Sequence, residues 1–392
     1  MRKIYLLLVV GMMLALALTP ESAPVTASIP AIDRPPHDEV PPAPLYASLR
    51  AAAPGNLLVN GGMDELSFYW MPPNHHVAGG WGRWWIHGTV LPEYDDTRSA
   101  RPHYDGDHAQ VYFKWFGRGQ EYHAGIYQMI DDVTPCVPYR FTMWARNHTL
   151  EVVKPHARIG LDPVGTQLTS SPAEGAVLAL PPTTVWSAEQ KNLFVWEQLS
   201  VEVEPVRNRL AAITFAHPEL PATGGPFSYY ADTYWDAGRV EQVSFPGGRF
   251  PEPSTAEATD FVSEMALRPR LDTLNIEWIL DAPAPAQIWY RVVPKPVDDP
   301  PETIFIAHQI YLPLISQSVS IAAYTESTLL SSSAGRYHQA VISGLEDGDT
   351  VEGVVVVRRP IAGVCTTEIA APFSVTIDLP YIEHLYLPLV QK

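Results

Sequence analysis

An all-β protein of two domains is what the sequence predicts, and three observations carry that prediction. The segment YRFTMWA at 139–145 alternates, with Tyr139, Phe141 and Met143 on one face and Arg140, Thr142 and Trp144 on the other. That period of two belongs to a half-buried strand. Proline (39) outnumbers glycine (25), which favours short strands and extended connections over long helices. A length of 392 residues, 46% hydrophobic and 18% charged, is enough for two cores and marks a globular chain.

The N-terminus reads as a signal peptide over 1–27. Arg2 and Lys3 precede an apolar run from Ile4 to Leu18, and Val25 and Ala27 suit the positions before a cleavage site. The run is short for a membrane span, so no span is expected in the mature chain, although a retained N-terminal anchor stays open as the alternative. Export to the cell surface or the medium follows. The formal net charge is −17, and cleavage makes it more negative by one because Arg2, Lys3 and Glu21 leave together. An acidic chain of this kind is repelled by nucleic acid and by anionic membranes, and it can attract cations such as Ca²⁺.

Residues 28–54 are rich in Pro and Ala without a period and read as a tether. Folding begins at NLLVNGGMDE (56–65), where Leu57 and Val59 alternate ahead of an Asn-Gly-Gly turn. Aromatic residues then crowd the stretch from Gly79 to Trp144, starting with GGWGRWWIHG. Further strands follow at ARIGLDPVGTQ (157–167), FVWEQLSVEVE and RLAAITFAHPE, with a long loop at 168–192 between them. GGPFSYYADTYWDAG adds five more rings. From 246 to 268 the composition turns to Pro, Gly, Ser, Thr and acid, which marks an interdomain linker. Beyond it, DTLNIEWILDAPAPAQIWYRVV supplies two alternating strands with Ile276, Trp278, Ile288 and Tyr290 as candidate core. Two copies of YLPL, at Tyr311 and Tyr386, read either as apolar edge strands or as a terminal tail segment and its echo.

NLLVNGG followed by a hydrophobic residue and an acid, GGW at 79–81, AGIYQ at 124–128, DDVTPCVPYRFTMWA and YWDAGRVEQV at 234–243 together resemble the galactose-binding-like jelly rolls, a group that holds several bacterial carbohydrate-binding modules. Met63-Asp64 stands where that group usually has Phe-Glu, and Cys136 stands where a turn glycine is common. SSAGRYHQAVISGLEDGDTVEGVVVVRR resembles a fibronectin type III domain, with Glu352 in place of the usual Tyr. The two likenesses imply a jelly-roll β-sandwich over 55–245 and a smaller fibronectin-III-like sandwich over 269–379, with an insertion at 294–320 and a YLPL tail at 380–392.

Function follows from the rings. Sugars present apolar C–H faces that stack on Trp and Tyr, and their hydroxyls take amide, carboxylate and guanidinium partners. Trp84, Trp85, Trp115, Tyr122, Tyr230 and Trp235, with Glu93 and Gln128 as polar partners, are the expected groove, and Arg83 and Asn147 are further polar candidates. The competing reading puts about half of the rings in the core. The partner expected is therefore a carbohydrate or cell-surface glycan, with protein–protein adhesion, including contacts through the second domain, as the alternative. The jelly-roll resemblance implies a structural Ca²⁺ at Asp64 and Asp236, with Glu65 as a substitute ligand.

No GxSxG elbow, P-loop, Rossmann glycine pattern or HExxH occurs, so no catalytic residue is assigned and no enzyme is expected. Nine of the thirteen histidines fall between 75 and 217 without metal-ligand spacing, so a zinc site would need convergence in space. Cys136 and Cys365 fall in different domains. An interdomain bridge is open to them in an oxidising compartment, but two isolated buried thiols are the expectation.

Overall fold

The computed structural model describes residues 55–377 apart from 72–74, 98–101, 118–120, 150–152, 169–174, 220–227, 254–260, 271, 296–325 and 328–334. All of the described residues fall in one compact unit. The signal peptide, the tether, both YLPL segments and the 380–392 tail lie outside them.

The jelly roll takes the strands β1 (Tyr69–Met71), β2 (His75–Val77), β3 (Gly82–Ile86), β4 (Glu93–Asp96), β5 (Gln110–Gly117), β6 (Ala124–Asp131) and β7 (Tyr139–Thr149), and then β8 (Lys154–Asp162), β9 (Ala176–Val177), β10 (Val185–Trp186), β11 (Trp196–Val203), β12 (Arg209–Glu219) and β13 (Ser228–Gln242). They pair as a six-stranded sheet, β10-β8-β12-β6-β3-β9, facing a five-stranded sheet, β11-β7-β13-β5-β4, with β1 and β2 as a separate hairpin. β7 shows why the sheets stack as they do. Every second residue, from Tyr139 through Phe141, Met143, Ala145 and Asn147 to Thr149, is buried, and the residues between are half-exposed. Tyr94, Tyr112, Trp235 and Phe141 therefore meet Ile126, Ile159 and Leu210 in one core between the sheets.

The six-stranded sheet is buried on its other face as well. A second cluster of Trp84, Tyr127, Val177, Ala211, Ile213 and Phe215 lies there, with Leu180 and Trp186 from the 163–190 connection packed over it. Strand β6 accordingly reads as a nearly continuous buried run rather than an alternating one.

The opening segment departs from the expected strand. Leu58 is fully buried whereas Leu57 is exposed, the reverse of the Leu57/Val59 pattern. The backbone is instead held by side chains: Asn60 Oδ1 accepts the N–H groups of Glu65 and Leu66, and Asn56 Oδ1 accepts that of Val240. Gly61 must be glycine, because a Cβ there would lie 2.1 Å from the carbonyl oxygen of Gly238.

The second sandwich comprises β14 (Val262–Arg270), β15 (Thr273–Leu280), β16 (Ala286–Val293), β17 (Glu326–Ser327), β18 (Tyr337–Ser343), β19 (Thr350–Ile361) and β20 (Val364–Thr376). Its sheets, β14-β15-β18 and β17-β16-β19-β20, enclose a second core in a three-plus-four arrangement. Ile276, Trp278 and Ile288 are in its core, with Tyr290 half-buried against it. Glu352 takes two hydrogen bonds from Arg291 on the neighbouring strand, at 2.8 and 2.6 Å.

Two expectations are corrected here. Of the segment expected as a linker over 246–268, the described residues 246–253 and 261–268 are built into the fold, because their apolar side chains have somewhere to go. Phe245 and Phe250 pack with Trp289, Val354, Val356 and Ile369 on the outside of the four-stranded sheet, and β14 begins at Val262. Gln287 fixes this strap by donating to the Gly248 carbonyl and accepting from the Phe250 N–H. The two cysteines are not isolated thiols. Cys136, in the turn before β7, is disulfide-bonded to Cys365 at the tip of the β19–β20 hairpin, with Cα atoms 5.3 Å apart. Cys136 N–H also donates to the Pro205 carbonyl, so the tip of the hairpin lands on a braced turn.

Candidate functional site

The outer face of the five-stranded sheet is where rings and polar groups meet. Strand register lays them out in rows. One row runs Glu93, Phe113, Asp232, His148 across β4, β5, β13 and β7. The next runs Asp95, Val111, Tyr234, Arg146, Trp196, and ends on β11. A third holds Asp236, Trp144 and Gln198. On the far side of the first row, Tyr230 pairs with Trp115.

The side chains of these rows engage one another. Asp232 Oδ2 lies 3.3 Å from His148 Nδ1 and accepts the Tyr234 hydroxyl at 3.2 Å. The His148 ring is 5.1 Å from Phe194 and 5.4 Å from Tyr230. Trp196 meets Tyr234 edge-on at 6.5 Å. Tyr104, from the 102–108 loop, lies flat on Trp144 with ring centroids 3.9 Å apart and turns its edge to Trp196 at 5.9 Å. Among these rings the Nε of Arg146 is buried without a hydrogen-bond partner. A buried guanidinium donor left unpaired costs on the order of 1–3 kcal/mol or more, so it calls for an acceptor.

The loop that brings Tyr104 over the sheet is tied down by two carboxylates. Asp236, fully buried, accepts the N–H groups of Tyr104 at 2.8 Å, Asp105 at 3.0 Å and Ala237 at 2.6 Å. Exposed Asp64 accepts that of Asp107 at 3.1 Å, and a side chain at Gly106 would collide with it. Burial, with a smaller contribution from the nearby Asp64 charge, pushes the Asp236 carboxyl up to about 6, against the three N–H groups that hold it down. The two expected metal residues thus converge on one loop. They fit a hard cation in part: Ca²⁺ would use their remaining lone pairs and offset their mutual repulsion. Among the described residues no third acid or histidine joins them.

The sequence-based groove is otherwise dispersed. Trp84, Tyr122 and Trp235 are core residues, at 0%, 1% and 0% exposure, and Trp84 stacks on Phe215 under the 163–190 cover. The excess of rings over the interior positions of a sandwich predicts them outside. The second apolar cluster, on the outside of the six-stranded sheet, supplies the missing space. Trp85 is on the six-stranded sheet, half-buried beneath Arg83, away from the rows. Gln128 is spent on structure, accepting the Val59 N–H and donating to the Val59 and Gly80 carbonyls. Arg83 is buried against His75, and Asn147 is buried against Gln190. Glu93, Trp115 and Tyr230 do occupy neighbouring register positions on the five-stranded sheet, and Glu93 lies 3.8 Å from Lys114.

Missed were Arg146, His148, Trp196, Asp232 and Tyr234. Their signal was present, since the face assigned to Arg140, Thr142 and Trp144 continues by twos to Arg146 and His148. Tyr104 had no such signal, because it sits in a loop.

No family model matches the chain, and no curated protein does. Among solved structures it is similar to a family 61 carbohydrate-binding module in complex with β-1,4-galactotriose, at 13% identity over 48% of this chain and 99% of that one, with a TM-score of 0.29. It is also similar to the adhesin domain of Epf from Streptococcus pyogenes, at 7% identity over 78% and 93% of the two chains and a TM-score of 0.31. A third is the family 22 module and catalytic module of a Clostridium thermocellum xylanase complexed with xylohexaose. There the identity is 11% over 46% of this chain and 29% of that chain, with a TM-score of 0.26. Likenesses this distant assign no function. Among the described residues no helix is long and apolar enough to cross a membrane.

Proposed function

We propose that the chain is a secreted or surface-attached, non-catalytic glycan-binding protein whose ligand lies across the outer face of the five-stranded sheet. The observation that carries this reading is the unpaired, buried Arg146 Nε set among Tyr234, Trp196 and the Tyr104–Trp144 stack. Rings offer faces to the C–H side of a sugar, while Arg146, His148, Asp232 and Glu93 supply the donors and acceptors that hydroxyls require. Ca²⁺ between Asp64 and Asp236 would serve this site indirectly, by holding the loop that carries Tyr104.

A glycan-array screen of the mature chain, repeated with Arg146→Ala, tests the proposal. A defined set of glycans bound by the parent and lost in the variant is the expected result. No glycan above background, or the same glycans bound equally by both, overturns it. Protein adhesion is the second reading, and it draws on Phe194 and Val195, exposed to 48% and 51% at the edge of the same face.

A further inference from the structure

His217 stands between two other histidines on the outer face of the six-stranded sheet. Register pairs it with His156 on β8, and the neighbouring pair Ala216–Ala124 sets His123 on its other side. Both ring centroids are 4.8 Å from that of His217. The His156 ring is nearly parallel to it and fully engaged: its Nδ1 lies 2.9 Å from Glu189 and its Nε2 3.3 Å from Glu219.

His123 and His217 are different. The Nε2 of His123 and the Nδ1 of His217 are both buried and neither makes a hydrogen bond. Two residues before His123, on the same side of the chain, Glu121 is exposed and brings its Oε1 to 3.5 Å from that Nε2. The intervening Tyr122 points the other way, into the core. Backbone bonds from Ile86 and Val90 to the carbonyls of His123 and Glu121 hold this segment in place. Ligand atoms of Glu121, His123 and His217 all lie within 4.8 Å of one another. A tetrahedral ion with bonds of ~2.0–2.1 Å asks for ligand separations of ~3.3–3.4 Å, so a small turn of Glu121 and one imidazole closes the set.

We infer that Glu121, His123 and His217 form a binding site for a zinc-class divalent metal. Two imidazole nitrogens and one carboxylate oxygen are a borderline-soft donor set, suited to Zn²⁺ and its first-row neighbours and poor for Ca²⁺. Three protein ligands leave the fourth position open to water or to a group from outside. The site is on the opposite sheet from the rows around Arg146 and is independent of the glycan reading.

Titration calorimetry of the full chain, freed of any affinity tag, with Zn²⁺ in the presence of excess Ca²⁺ tests the inference. One equivalent of Zn²⁺ should bind, and Glu121→Gln and His217→Gln should each weaken it by more than the ~10–100-fold typical of outer-shell residues. Glu121 is exposed, so its variant reports even if the His217 variant does not fold. His148→Ala, on the other sheet, should leave Zn²⁺ binding unchanged. Absence of a stoichiometric site, unchanged affinity in Glu121→Gln, or loss of binding in His148→Ala overturns the assignment.

Discussion

Tyr104 lies flat on Trp144, at 3.9 Å between ring centroids and 15° between planes, although the two come from a loop and a strand forty residues apart. Tyr104 keeps 43% of its surface in water. A ring placed this way contributes area to a ligand more than to the core. Replacing it with Ala should therefore weaken glycan binding by about tenfold, in line with the ~0.5–1.5 kcal/mol of an aromatic pair, and shift the melting temperature little. Trp196→Ala should behave alike. Trp235→Ala should do the reverse and cost ~3–5 kcal/mol of stability, since that ring is wholly buried. Binding isotherms and thermal melts on the three variants decide the matter, and a Tyr104 variant as unstable as the Trp235 variant would place Tyr104 in the fold instead.

Asp236 ties the loop beneath Tyr104, and its ionisation should be linked to Ca²⁺. Its folded-state pKa, about 6, is raised above the ordinary aspartate value. The stability contributed by its proton is thus fully present below the unfolded pKa and is lost as pH rises through about 6. A cation needs the charged form, so the gain in melting temperature on replacing chelator by millimolar-range Ca²⁺ should be near zero at pH 4 and grow towards pH 7. Identical melts with and without Ca²⁺ across that range would remove the metal from the Asp64–Asp236 pair.

Much of the fold could be read from alternation, and the site could be read only in halves. Period-two patterning located β7, β11 and β15, because each has one wet face. It failed for Trp84 and Tyr127, on strands buried on both faces, where a ring on either side looks the same in sequence. The linker was misread because Pro and Gly mark a turn whether or not Phe245 and Phe250 find a sheet to cover. Glu93 and Tyr230 were named for their chemistry alone, and register puts both on the five-stranded sheet. The Asp232–His148–Tyr234 contacts depend on the register between β13 and β7, which no local pattern encodes.

His75 should make the protein acid-sensitive. Burial, followed by the Arg83 charge against it, lowers its pKa to about 3. Because the folded pKa is depressed, the unfolded chain takes up the proton first, and stability falls as pH drops from about 6.5 towards 3. The full window corresponds to a few kcal/mol, on the order of 1.4 per pH unit. His75→Gln keeps an acceptor for Arg83 without titrating, so its melting temperature should fall less than the parent's between pH 7 and pH 4. Parallel curves for parent and variant would show that acid sensitivity arises elsewhere.

The joint between the sandwiches gives the last prediction. Arg358, on β19, donates to Glu204 of the jelly roll at 2.8 and 2.5 Å, and the Cys136–Cys365 bond closes 229 residues of chain beside it. Phe245 and Phe250 extend the contact as apolar cover for the second sandwich. Ending a fragment at 245 would strip that cover from the second sandwich and leave Glu204 without Arg358, whereas the core between the jelly-roll sheets would remain whole. The 55–245 fragment should accordingly still melt cooperatively, but at a lower temperature than the same sandwich in the full chain. In the full chain, Cys365→Ser should cost ~2–5 kcal/mol, most of it through the unfolded state. Glu204→Gln should cost less, because the Arg358 guanidinium keeps its bond to Thr367 and its place over the Phe245 ring. A two-step melt of Cys365→Ser, with the sandwiches unfolding apart, is the expected signature. A single transition unchanged from the parent would mean that the strap, and not the disulfide, couples them.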